Sequence, residues 1–265
     1  MDILCHTLTG TAVGTVIASY SKKSTFYKFG IILLGTLGGA LPDLDAISLW
    51  SKFDSIFGAF LNLEHLGKEI YFGKLWYSHH SFLHSITAAL GIPIIYFIVL
   101  SLIRFKRVDL YKTKNILTKY FSYILAFCLG FIFHLFEDMP TPHSVWGGVR
   151  LFFPSSQYYG GWGKIWWWNN YDLFLIILGT IVLNIVVLTT IKQQLKKYIT
   201  TSIFVCASFL FIFQINNRNF DFNYKGHTPK YHEYEKQSKE IQKEILGDKV
   251  YRIMEKFDNY LQLNF

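Results

Sequence analysis

The chain has 265 residues, of which 51% are apolar, 18% aromatic and only 17% charged, with a formal net charge of +8. Soluble domains average roughly 25% charged residues, and here the deficit is concentrated in four uncharged runs: Ile3–Ser21, Phe82–Ile103, Leu173–Ile191 and Ile199–Asn217. Each exceeds the span of about 18 apolar residues that can cross a bilayer, which excludes an ordinary soluble domain, a disordered chain and a disulfide-stapled module.

In chain order the pattern predicts an all-α, polytopic membrane helix bundle with about six transmembrane helices. They fall at about 3–20, 29–49, 82–103, 120–137, 172–191 and 199–216. Together they make a membrane-embedded domain, 1–216, followed by a polar tail, 217–265. The second span is uncharged from Phe29 to Pro42 and then meets Asp43 and Asp45; the fourth is apolar from Tyr120 and then meets Glu137 and Asp138. Gly10 and Gly14, and Gly35 and Gly39, have the small-residue spacing that lets membrane helices approach closely. Cys5, Cys128 and Cys206 lie inside apolar runs and read as small apolar residues. In the tail, Tyr231–Leu263 reads as one or two amphipathic helices broken near Gly247 and Asp248, folded back on the bundle or the headgroups.

The connectors alternate in charge. Residues 21–28, 104–119 and 192–197 carry twelve basic residues, among them Arg104, Lys106 and Arg107, against one acid, Asp109. Basic connectors stay cytoplasmic, so a multi-pass protein of the plasma (inner) membrane is expected, with both termini on the non-cytoplasmic side. No nucleic-acid partner is expected, because orientation accounts for the basic excess. The loop 138–171 alternates glycine with Trp146, Trp162, Trp166, Trp167 and Trp168. Tryptophan at this density predicts a loop at headgroup level, serving as an anchor or as part of a binding surface.

The chemistry is carried by ionisable residues at membrane depth, where each is costly and marks a functional site. His6 opens span one. Asp43 and Asp45 close span two, His79, His80 and His84 open span three, and His134, Glu137 and Asp138 close span four. On the expected topology all of them meet at the outer face. His134 and Asp138 are four apart and share one helix face; His80 and His84 have the same spacing. Pro42 breaks span two and frees the two aspartates to turn inward. Mixed imidazole and carboxylate donors suit a divalent metal, Zn²⁺ first and Mn²⁺ or Fe²⁺ less specifically. The surplus over four donors suggests two or three ions with positions left for water. His65, His143, His227 and His232 read as surface or loop residues.

The strings PDLD at 42–45, HHSFLHS at 79–85, HLFEDMPTP at 134–142 and RLFFP at 150–154 together, in this order, resemble the membrane-bound, LexA-regulated, metal-dependent hydrolase family. The resemblance covers roughly residues 1–192 and implies an all-helical fold distantly related to the zinc phospholipase C and P1 nuclease group. His6, Asp43, Asp45, His79, His84, His134 and Asp138 match its motif positions. The departures are His80 for arginine, Ser81 for glycine, Leu83 for threonine and Ser144 for the last glycine. Losing the arginine removes a fixed cation suited to phosphate.

The implied chemistry is hydrolysis of a phosphoester, lipid-borne or lipid-linked, by metal-activated water. His6, Asp43, His79, His84, His134 and Asp138 are the expected ligands, and Asp45 or Glu137 the expected proton acceptor. A membrane transporter and a non-catalytic protein with a structural metal are the competing classes. A transporter places polar groups through the midplane, whereas here they gather at one end.

Overall fold

The computed structural model describes residues 1–105 and 110–261. Lys106, Arg107 and Asp109 of the second basic connector, and Leu263 of the expected tail helix, lie outside them. The uncharged runs become helices because, without water, each backbone polar group must be satisfied within its own segment. The long helices are α1 (Ile3–Tyr20) and α2 (Thr25–Ala40), then, after the short helices α3 (Ala59–Leu61) and α4 (Gly67–Phe72), α5 (Ile86–Phe105), α6 (Leu110–Asp138), α7 (Tyr171–Thr190), α8 (Gln193–Asn216) and α9 (Lys230–Leu261). No strand occurs among the described residues; single antiparallel bridges, Pro142 with Trp162 and Val149 with Tyr159, tie the loop after α6.

All six expected spans are helical, but they are not equivalent. α1, the Leu117–Asp138 part of α6, α7 and α8 are each long and apolar enough to cross a membrane. α2 reaches that length only with the 3₁₀ helix Pro42–Leu49, bent from it by 49°. The bend sits at Pro42, which has no N–H to continue the α-helical ladder. In α5 the stretch Ile86–Leu100 is shorter than a full span. Among the described residues there are therefore four spans by length, or five with the bent pair.

α1 stands at the centre, packed on α2, α6, α7 and α8. Its contact with α2 is a backbone-to-backbone approach. A Cβ added at Gly10 would fall 2.2 Å from the Gly35 carbonyl oxygen, and one at Gly39 would fall 2.3 Å from that of His6. α2 meets α6 in the same way, with Gly38 against the carbonyl of Phe127 and Gly130 against that of Gly35. The small-residue spacing thus brings His6 of α1 and His134 of α6 to the C-terminal end of α2. Gly38→Ala would place its Cβ 2.2 Å from the Phe127 oxygen, and both sides are backbone, so the helices must part. Overpacking of this kind costs about 1–3 kcal/mol. A lower thermal midpoint in detergent is expected; an unchanged midpoint would contradict this contact.

The tail folds back as its pattern suggested. α9 is interrupted at Gly247, where φ is 73°. Gln242 accepts the Tyr171 N–H at 2.8 Å, and Glu235 accepts the indole N–H of Trp166 at 2.5 Å. Trp166 is fully buried with Phe222 and Ile241. Trp146 is buried as well, donating to the Tyr71 carbonyl at 2.9 Å. Trp166 builds a core beneath the tail and Trp146 packs against Tyr71 and Phe72, whereas Trp162 is 58% exposed. Arg218, at the start of the tail, is buried and pairs with Asp172 of α7 at 2.5 Å.

Candidate metal centre

Four segments deliver the site. α1 brings His6, the bent turn 42–49 brings Asp43 and Asp45, the segment before α5 brings His79, His80 and His84, and the end of α6 brings His134, Glu137 and Asp138. One local expectation is corrected. His80 and His84 do not share a helix face, because α5 begins only at Ile86. His80 has a left-handed φ of 60° and His84 ends a separate 3₁₀ turn, Phe82–His84.

The orientation of His134 follows from a hydrogen bond. Its Nδ1 lies 2.7 Å from the Gly39 carbonyl oxygen. A carbonyl only accepts, so Nδ1 carries the proton and Nε2 presents a lone pair. That lone pair faces other acceptors: Asp138 Oδ2 at 3.1 Å, His84 Nε2 at 3.4 Å and Asp43 Oδ1 at 3.6 Å. His84 Nε2 in turn lies 3.6 Å from Asp43 Oδ1 and 3.7 Å from Asp138 Oδ2. Zinc bonded tetrahedrally at about 2.0–2.1 Å sets its ligand atoms about 3.3–3.4 Å apart. Five edges of such a figure are therefore present among Asp43, His84, His134 and Asp138. Asp138 Oδ2 is buried with no hydrogen-bond partner among the described residues. Buried acceptors facing one another are unfavourable unless a cation lies between them. The donor set thus fits a divalent metal.

The remaining expected residues surround this group in distinct ways. His79 Nδ1 lies 2.7 Å from Asp45 Oδ1, and Asp45 Oδ2 lies 3.3 Å from His84 Nδ1. Asp45 therefore stands behind two histidines, the arrangement by which carboxylates orient metal-binding imidazoles. His6 stacks on His134 with ring centroids 3.8 Å apart. Both its nitrogens make contacts, Nδ1 with Glu137 Oε2 at 2.8 Å and Nε2 with the Met1 carbonyl at 2.9 Å and Asp138 Oδ1 at 3.0 Å. Asp138 Oδ1 also accepts the Met1 ammonium at 2.5 Å. His6 also offers a ligand atom that lies within 4.8 Å of those of Asp43 and His134, so it stays among the candidate ligands. Glu137 accepts the Thr9 hydroxyl at 2.5 Å and turns away from the group, toward an apolar cavity of about 450 Å³ between α6 and α8.

Charge in the site is one-sided: the carboxylates of Asp43, Asp45 and Asp138 all lie within 3.7 Å of the His84 ring nitrogens, a setting that favours a bound cation. Burial, reinforced by His79 and His84, pushes His80 well below the usual histidine range, so its ring is neutral.

The centre is reachable. Asp43, His79, His80 and Asp138 line a cavity of about 650 Å³ whose far wall includes Trp167, Tyr224 and Tyr231. Tyr71, which carries no signal in the sequence, stacks on His79 at 4.5 Å, and Trp146 of the tryptophan-rich loop lies 4.6 Å from the His80 ring. Glu64 and His65 are exposed, and His143 bonds within its loop, Nδ1 to the Ser144 carbonyl at 3.2 Å.

A protein-family model described as YdjM inner membrane protein matches residues 1–219. No curated protein and no solved structure matches the chain.

Proposed function

We propose that this chain, which belongs to the YdjM inner membrane protein family, is a membrane-bound, metal-dependent hydrolase acting on a phosphoester at one face of the bilayer. The observation that carries the reading is the convergence of His84, His134, Asp43 and Asp138 beside an open cavity. A metal that only tied helices together would need no such access, since structural sites are closed and catalytic ones keep a position open. When bound there, a divalent cation would lower the pKa of a water to about 7 and offset charge growing on phosphoryl oxygens.

The chain's own residues do the rest. His84 and His134 present Nε2 and Asp138 presents Oδ2. Asp43 offers Oδ1 and lines the cavity, and we assign its carboxylate the proton from the attacking water. Asp45 fixes the rings of His79 and His84. Glu137 holds His6 through Nδ1 at 2.8 Å, stacked beside His134. Of the two carboxylates expected to accept the proton, Asp45 suits the orienting role better, and Glu137 lines the other cavity. The aromatic wall excludes water from the far side of a bound substrate.

Hydrolysis of a phosphodiester and of phospholipid vesicles by the purified protein, before and after chelation, tests the reading. Turnover that is lost on chelation and restored by Zn²⁺ is expected. Turnover indifferent to chelation, or absent with every phosphoester tried, would overturn it. The basic connectors further support an active site on the non-cytoplasmic side. A reporter fused after Phe265 is expected to behave as exported and one fused after Lys112 as cytoplasmic; the reverse pair would invert the orientation.

A further inference from the structure

Position 80 is where this chain departs most from the pattern it resembles, with histidine in place of arginine. Consecutive side chains on an extended backbone point to opposite sides. At His80 the backbone is left-handed, with φ 60°, a conformation uncommon for residues other than glycine. Three bonds hold that turn. The Ser81 N–H donates to the Ser78 carbonyl at 3.1 Å, the Arg150 N–H donates to the His80 carbonyl at 3.0 Å, and His80 Nδ1 lies 2.9 Å from the Gly148 carbonyl oxygen. The consequence is that the His79 and His80 rings lie on the same side, with centroids 4.3 Å apart.

His84 completes a triangle. Its ring lies 4.6 Å from that of His79 and 4.8 Å from that of His80. All three side chains are buried, and each offers a ligand atom within 4.8 Å of the others. The tautomers are constrained. The Gly148 carbonyl fixes the proton of His80 on Nδ1, and the Asp45 carboxylate does the same for His79. Each therefore turns its Nε2 lone pair outward, the state in which histidine binds metal. His84 Nδ1 faces Asp45 Oδ2 at 3.3 Å, so the same carboxylate stands behind His79 and His84. His79 and His80 both line the cavity of about 650 Å³, so an ion can reach them.

We propose that His79 and His80 hold a second divalent cation beside the first, with His84 lying between the two. The inference rests on the hydrolase reading for the identity of the first site. A donor pair of imidazoles suits Zn²⁺ or a neighbouring transition metal and not Mg²⁺ or Ca²⁺. Histidine here would replace the anion-binding charge of an arginine with a metal ligand.

The test is cation stoichiometry in the purified full chain, saturated with Zn²⁺, freed of excess and analysed for metal. Wild type is expected to carry two cations, and His80→Asn and His80→Arg one each. Asparagine tolerates left-handed backbone, and arginine is the residue of the resembled pattern, so the two variants guard against loss of fold in either. Stepwise Co²⁺ titration of wild type, followed by its visible absorption, gives a variant-free reading in which two steps are expected. One cation in wild type, retained by both variants, would overturn the second site and leave the first intact. No bound cation in wild type would overturn both.

Discussion

His134→Ala is expected to lose the first cation and to hydrolyse phosphoesters no faster than background. The side chain supplies one corner of the ligand figure and three of its edges, at 3.1, 3.4 and 3.6 Å. Alanine leaves Asp43 and Asp138 without the imidazole that faces them, and it removes the ring on which His6 stacks. The Gly39 carbonyl would lose its donor as well. Loss of one donor from four opens the figure, so metal content should fall by one equivalent in a protein that still elutes as wild type does. His65→Ala is the control. That side chain is 45% exposed and lies 3.8 Å from Glu69, away from the centre, so metal content and turnover should not change. Full metal content in a folded His134→Ala protein would remove this histidine from the centre.

Asp45→Asn is expected to lower both cation affinity and turnover by about 10–100-fold, the usual effect of removing a carboxylate that orients a metal-binding histidine. The geometry separates this from direct proton transfer. Asp45 spends Oδ1 on His79 at 2.7 Å and faces His84 Nδ1 with Oδ2 at 3.3 Å. Asparagine keeps the size but turns one acceptor into a donor and removes the charge, so the tautomers of both rings lose their reference. A residue acting only as a general base would slow turnover by about 10²–10⁴ and leave affinity untouched. Competition against a chelator of known strength, measured beside turnover, decides between them. Turnover lost with affinity unchanged would return Asp45 to the proton-accepting role its motif position first suggested.

Much of this was legible in the sequence because a bilayer imposes harsh rules. An uncharged run must become a helix, and an acid or histidine at its end must find a partner. This is why Asp43, His84, His134 and Asp138 could be read as one group from their positions along the spans. What the runs could not reveal is which nitrogen faces which oxygen. His6 matches the ligand pattern and lies with Asp43 and His134, but its contacts with Glu137, Met1 and Asp138 follow only from the fold. Glu137 is next to Asp138 in sequence, but one residue along a helix turns a side chain by about 100°, and so it faces the cavity on the other side of α6. The tryptophans of 146–168 are legible as a cluster, but the burial of Trp166 is not, since it depends on Phe222 and Ile241 of the tail. The helical spacing of His80 and His84 misled because the orientation of His80 comes from a left-handed backbone and a carbonyl 68 residues away.

The central claim is that the acceptors of Asp43, His84, His134 and Asp138 face one another because a divalent cation belongs between them. Metal analysis of wild type and of a His84→Ala/His134→Ala double variant, both exposed to Zn²⁺ and then freed of excess, tests it most directly. The account predicts at least one tightly held cation per wild-type chain and none at this position in the double variant, with lower thermal stability of wild type after chelation. A wild-type protein that is folded and carries no cation, or a double variant that carries as many as wild type, would contradict it.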